Sequence, residues 1–329
     1  LVLNCDAHDN YDGYSEGDSG NVDGFGGHAN KETSTGNIFR GCRAWNNGDD
    51  GFDLINCYAS YIIEYCWSFR NGYKPHSIES SGGNGAGFKS GGYGMGDIKK
   101  VPNPIPQHTV RYCLAYYNRQ QGFYSNHHLG GLIFENNTAY KNPSNYNMLN
   151  RKSSNEAVDV PGYGHIIKNN LSLSPRNSGG FPQHLINVDN TLSEIKNNSF
   201  APNDLNLSES DFESLNEQEL MGSRKSDGSL PDINFLRLTN HANFRFSGMG
   251  CFINEEAVDY SWIQEPAIVL ENGVARIVGE DSKSFNKFYV NGEEVSIENG
   301  IVDLTSMSGE LNLKAISENG AVTTLIINK

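Results

Sequence analysis

The chain has no run of about 18 apolar residues anywhere in its 329, which excludes a helical membrane span. Positive charge is also scarce. Lys and Arg total 25 against 39 Asp and Glu, a net charge of −14, so no basic stripe is available for a nucleic-acid backbone. An anionic partner stays compatible with that balance, because a bound divalent cation reverses the local field. Hydrophobic residues make up only 37%, while Gly reaches 36 and Tyr and Phe 16 each. That texture favours tight turns and aromatic strands over helix bundles. No methionine and no signal-peptide pattern stand at Leu1, so the chain reads as a processed or trimmed product. The six cysteines do not form a disulfide framework in this reading. Cys5, Cys42, Cys66 and Cys113 recur at one register of a repeat, which suggests a ladder of inward-facing thiols.

What the chain does have is internal periodicity. Cys42 to Gly51 is nine residues, as is Cys113 to Gly122, and Phe52 to Cys66 is fourteen, as is Phe123 to Asn137. A minimal turn of 24 residues follows, seen cleanly in Cys42 to Cys66 and Cys113 to Asn137. Other turns are this unit with loops inserted at 11–22, 70–86 and 91–108. Asn137, Asn170 and Asn198 replace cysteine in later turns, where stacked amides can satisfy one another. Short strands with Asn, Gly and Asp corners at this period predict a right-handed parallel β-helix.

The period fades between 203 and 250. Ser208 to Phe212 reads as a short capped helix, and the segment from Pro231 as cover for the solenoid end. Beyond Cys251, Asn-Gly pairs at Asn272, Asn291, Asn299 and Asn319 separate alternating apolar runs, a hairpin signature. The expected architecture is all-β: residues 1–250 a β-helix with a C-terminal capping segment, and 255–329 a small antiparallel β-sandwich.

The Gly-Phe pairs at Gly24-Phe25, Gly51-Phe52 and Gly87-Phe88 align the most informative residues. If each marks the same point on successive coils, equivalent positions stack about 4.8 Å apart. Asp50 then lies over Asp23, and Lys89 lies beside Asp53. Asp23, Asp49, Asp50 and Asp53 crowd together at that spacing and repel unless a cation holds them. Oxygen-only donors suit calcium, and the absence of His or Cys at ligand spacing argues against zinc. Lys89, pointing outward after the inward Phe88, is either a salt-bridge partner for Asp53 or a base whose amine a bound cation helps to free.

These segments, Asn21 to Phe25, Gly41 to Leu54 and Gly87 to Lys89, together with Asp227 to Pro231, resemble the family 9 polysaccharide lyases over residues 1 to about 250. The resemblance implies a parallel β-helix enzyme that cleaves galacturonate-containing pectic chains by β-elimination. It implies calcium on Asp23, Asp49, Asp50 and Asp53, with Lys89 as the Brønsted base. Pectate-cleaving members are expected to carry a lysine shortly after the first Gly-Phe. Here Gly26-Gly27-His28 stands instead, and polygalacturonate and the rhamnose–galacturonate backbone both remain open.

Arg119, Asn126, His28 and Tyr93 are the expected substrate contacts. The His127-His128 pair reads as surface polarity, Trp45 and Trp67 as core, and the loops carrying Tyr14, Tyr73, Lys74 and His76 as groove walls. The Asn-x-Ser/Thr matches at Asn136, Asn170 and Asn197 carry no weight in so Asn-rich a chain. An acidic polysaccharide partner, a monomer, and a secreted, periplasmic or cell-surface location complete the expectation. Two other readings keep the fold. One makes Asp49 and Asp50 the acid and base of a hydrolase, and the other makes the chain a calcium-bearing carbohydrate binder.

Overall fold

The computed structural model describes residues 1–14, 20–94, 101–176, 183–200, 205–252, 266–271, 273–279, 282–298, 300–318 and 320–328. Asn272, Asn299, Asn319, the boundary at 255 and the start of the capping segment at 203 lie outside the described residues. Contacts divide the chain into two units, one of Leu1–Arg237 with Met249–Ile253, the other of Leu238–Gly248 with Asn254–Lys329.

The first unit is a parallel β-helix. Three parallel sheets of seven, six and six strands run its length, six coils contributing one short strand to each sheet and a seventh to the first sheet alone. Strands of two to four residues suffice because the interior strands pair with the coils on both sides. The register is set by an inward aromatic stack. Phe25, Phe52, Phe88, Phe123 and Tyr146 follow one another with ring centroids 5.0 Å apart at each step, one strand spacing. Phe52, Phe88, Phe123 and Tyr146 are wholly buried, and burying each contributes about 1.5–3 kcal/mol.

A second inward column explains the glycine of each Gly-Phe pair. Asn47, Asn71, Asn118 and Asn142 are fully buried. Each Nδ2 of the first three donates to the next Oδ1, at 2.9, 3.0 and 3.1 Å. A Cβ on Gly24, Gly51, Gly87 or Gly122 would come within 2.7–2.8 Å of one of these amides. Glycine is required there by the close approach of a side chain rather than by a turn. The asparagine ladder Asn137–Asn170–Asn198 is present as expected, with amide contacts of 3.1 and 3.0 Å.

Cys42, Cys66 and Cys113 stack inside as thiols, and the Cys42 amide donates to Cys66 Sγ at 3.4 Å. Cys5 departs from that expectation and is exposed. Its coil has one neighbouring coil in this chain rather than two.

The expected cover for the solenoid end is also corrected. Residues 205–237 run back along the outer face of the second sheet. Tyr140 donates to Glu209 at 3.0 Å, Tyr116 and Arg70 meet Glu217, Arg43 donates to the Leu220 and Gly222 carbonyls at 2.9 and 2.8 Å, and Arg224 reaches Asp6 on the first coil. Ser208 does start a short 3-10 helix, its amide donating to Asp211 Oδ2 at 2.8 Å. Trp45, stacked between His8 and Phe69 at 4.2 and 5.6 Å, is buried because this strap covers an outward row.

The second unit holds two antiparallel sheets of three and four strands, with Ile268, Phe288, Leu311 and Leu313 in the core between them. Glu310–Ser317 alternates exposed and buried positions along most of its length, the period-2 signature of a half-buried strand. Asn291-Gly292 joins its strands with positive φ at both residues, 51° and 89°, the tight hairpin expected of that pair. The chain is therefore all-β, a parallel β-helix followed by an antiparallel sandwich. Among the described residues no helix is long and apolar enough to cross a membrane.

Candidate active site

The third sheet carries an outward row that begins Gly26, Asp53, Lys89, Tyr124, Asn147, each the cross-strand partner of the next. The inward Phe stack fixes this orientation, since side chains alternate along a strand. Asp23 and Asp50 stand just before the row on adjacent coils, and the Asp50 amide donates to Asp23 Oδ1 at 3.0 Å. Carboxylate oxygens of Asp23, Asp50 and Asp53 lie within 4.8 Å of one another. Lys89 Nζ sits 3.0 Å from Asp50 Oδ2 and 2.9 Å from Asp53 Oδ2.

Backbone amides hold the remaining oxygens. Ala86 donates to Asp50 Oδ1 at 2.6 Å and Ile55 to Asp53 Oδ1 at 2.7 Å. Asp50 is fully buried, and its Oδ2 accepts no hydrogen bond despite the nearby ammonium. Burial, followed by the neighbouring carboxylates, pushes Asp23 up to about 7. Burial pushes Asp50 up to about 8, with Lys89 opposing and Asp49, Asp53 and Asp23 adding to the rise. For Lys89, burial pulls the amine down, but the Asp50 and Asp53 charges outweigh it and leave the group raised. An oxygen-only cluster of carboxylates reluctant to ionise together is suited to a hard cation.

Asp49 is not one of the three converging carboxylates. Its Oδ1 accepts from the Asn84 amide at 2.5 Å, and the Gly83 backbone packs against it so closely that a Cβ there would lie 2.5 Å from the same oxygen. Arg119, expected to meet substrate, instead donates to the Gly83 and Asn84 carbonyls at 3.0 and 2.9 Å, holding this loop down. The glycines of Gly82, Gly83 and Gly85 were the available signal for so close a contact.

The other expected contacts separate. His28 is exposed, with Nδ1 3.1 Å from the Ile55 carbonyl and its ring over Gly26, where a Cβ would meet Nε2 at 2.8 Å; it flanks the row beside Asp53. Asn126 is turned in at φ 54° and donates to Gly91 O at 2.7 Å. Tyr93 is buried, its hydroxyl donating to Cys57 O at 2.9 Å and its ring stacked on His128 at 5.8 Å. Neither presents its polar group to a groove. His128 corrects the surface expectation as well. The left-handed turn at Asn126 and His127 swings it inside, where burial lowers it to about 4 and Nδ1 accepts from the Gly92 amide at 3.1 Å.

His127 stays at the surface, 2.9 Å from the Tyr124 hydroxyl and 2.6 Å from Asp159. Tyr73 is buried and bound by Arg176 at 2.9 Å, whereas Tyr14 is fully exposed. Lys74 and His76 line a cleft of about 630 Å³ with Asp9, Asn46 and Arg70 that includes none of the acidic cluster. The rest of the loop from Tyr14, residues 15–19, lies outside the described residues.

A parallel β-helix with an acidic cluster and a lysine on one outward row defines a class, and the sequence comparison narrows it. Residues 1–198 match the Pel9A-like, right handed beta helix region, and the chain belongs to that family. Residues 189–324 match the rhamnogalacturonan lyase-like, C-terminal family. Pectate lyase L of Dickeya chrysanthemi is 35% identical over 260 residues, covering 79% of this chain and 53% of that protein. A solved rhamnogalacturonan lyase superposes with a TM-score of 0.70 at 54% identity, over 76% of this chain and 60% of its own. The crystal structure of pectate lyase Pel9A gives 0.60 at 32% identity, over 77% and 58%. The chain thus spans about half the length of the curated relatives it matches.

Proposed function

We propose that this chain cleaves the galacturonate-containing backbone of pectic polysaccharides by β-elimination, with rhamnogalacturonan the favoured substrate. The observation that carries the reading is Lys89, an outward lysine held within 3.0 Å of two of the three clustered aspartates. A hydrolase reading with Asp49 and Asp50 as acid and base suits the geometry less. Asp49 is tied to the Asn84 amide and Asp50 is wholly buried, and Lys89 is left without a task.

Asp23, Asp50 and Asp53 would hold calcium, with Asp49 beside them. When bound, calcium supplies the positive charge that stabilises a uronate carboxylate as its C5 proton leaves. Lys89 takes that proton through its free amine. The Asp50 and Asp53 charges oppose deprotonation of Lys89, so the amine is freed as positive charge is supplied to those carboxylates. Their backbone hydrogen bonds keep them in place while the charge balance changes.

Rhamnogalacturonan is favoured because the solved rhamnogalacturonan lyase shares 54% identity and the two pectate lyases 35% and 32%. His28 in place of the lysine expected in pectate-cleaving members points the same way. A polymer of this kind is met outside the cytoplasm. Incubation with purified rhamnogalacturonan and with polygalacturonate, followed by ultraviolet absorbance of unsaturated ends, tests the assignment. Faster growth on rhamnogalacturonan is expected, and faster growth on polygalacturonate would reverse the substrate choice.

A further inference from the structure

We infer that Tyr124 is the acid that protonates the leaving oxygen, and that His127 and Asp159 are the residues that position it. The inference rests on the lyase reading above. Elimination breaks a C5–H and a C4–O bond on adjacent carbons, so base and acid must reach neighbouring atoms. Tyr124 is the cross-strand partner of Lys89 in the outward row, roughly one strand spacing of 4.8 Å away. It lies on the side of Lys89 opposite Asp53, where no carboxylate of the cluster stands.

The phenol is part of a hydrogen-bonded chain. Tyr124 Oη lies 2.9 Å from His127 Nε2, and His127 Nδ1 lies 2.6 Å from Asp159 Oδ1. A carboxylate accepting from Nδ1–H fixes the orientation of the ring. Nε2 of the ring so held meets Tyr124 Oη and keeps the hydroxyl on the row beside Lys89. Asp159 belongs to the antiparallel hairpin Asn150–Ser153 and Glu156–Val160, opposite Arg151, whose Nε is 3.4 Å from the same oxygen. The two strands of that hairpin therefore hold the imidazole that meets the hydroxyl. Burial first, then the Asp159 charge, pushes the phenol up to about 12.

The step balances without a further reagent. Lys89 Nζ takes the C5 proton, the C5–H electron pair becomes the C4–C5 double bond, and the C4–O pair leaves with oxygen. That oxygen takes the Tyr124 proton, and both Lys89 and the Tyr124 phenolate re-equilibrate with water.

The test is steady-state kinetics of Tyr124→Phe, His127→Gln, the double variant and Asp159→Asn on the backbone that the wild type cleaves. Thermal unfolding and calcium titration serve as folding controls. Tyr124→Phe is expected to lower kcat by about 10²–10⁴-fold, the range for general acids, with KM and calcium affinity within roughly threefold of wild type. His127→Gln and Asp159→Asn are expected to lower kcat by at least about tenfold. The double variant should be no slower than Tyr124→Phe alone, because groups acting as one unit are not additive. A folded Tyr124→Phe enzyme with more than about a tenth of the wild-type kcat, measured against that 10²–10⁴ scale, would overturn the assignment. So would a loss confined to KM. Should Tyr124→Phe not fold, Asp159→Asn at its half-exposed position decides, and an unchanged kcat there overturns it. A wild type that releases no unsaturated ends from any pectic backbone would instead overturn the lyase reading, and this inference with it.

Discussion

Lys89 concentrates the chemistry at the scale of single residues. It is nearly buried, yet its two closest partners are carboxylates rather than apolar groups, so packing alone does not explain a lysine there. Lys89→Ala should fold, bind calcium and lose about 10²–10⁴-fold or more in kcat. Lys89→Arg should be equally slow, because arginine stays protonated. Retention of more than about a tenth of the rate by the alanine variant, against that scale, would remove Lys89 from the mechanism. The position of Lys89 was legible in the sequence because the Gly-Phe pairs number the coils. Asn126, Tyr93 and His128 were not, since positive-φ corners reverse which side chain faces out and neither spacing nor residue type announces them.

Among the elements, the outward row is only as straight as the inward columns beneath it. The Phe stack follows from the Gly-Phe motif, whereas the Asn47–Asn71–Asn118–Asn142 ladder was missed, although Asn47 to Asn71 and Asn118 to Asn142 are each 24 residues. The inserted loop between Asn71 and Asn118 hides the period. Asn71 accepts from the Asn47 backbone and side-chain amides at 3.1 and 2.9 Å and donates to Asn118 and to the Ala44 carbonyl at 3.0 and 3.1 Å. Asn71→Ala strands several buried groups, each costing about 1–3 kcal/mol. Urea unfolding should show a loss of roughly 3 kcal/mol or more, whereas a change below about 0.5 kcal/mol, the range of neutral surface substitutions, would mean that the ladder does not hold the coils in register.

At the scale of the whole molecule, the strap of residues 205–237 shows where sequence reading ends. The fading period marked a change of structure, but strap and cap bury the same kinds of residue, and only the partners Asp6, Arg43, Tyr116 and Tyr140 distinguish them. The acidic cluster also leaves a mark on overall stability. Asp23 and Asp50 have folded pKa values raised from 3.8 to about 7 and about 8. Their contribution is fully present below the unfolded value and is lost as pH rises through the folded values. The metal-free protein therefore loses this stabilisation between about pH 4 and pH 8. Calcium should raise Tm more at pH 8 than at pH 5 in a thermal melt. Equal shifts at both pH values would separate calcium from this cluster.

The central claim is calcium-assisted elimination on a pectic backbone, and chelated enzyme tests it most directly. Wild-type protein stripped of divalent ions, incubated with rhamnogalacturonan, should give no ultraviolet absorbance from unsaturated ends, and addition of calcium alone should restore it. New reducing ends without that absorbance, or full activity after exhaustive chelation, would contradict the account.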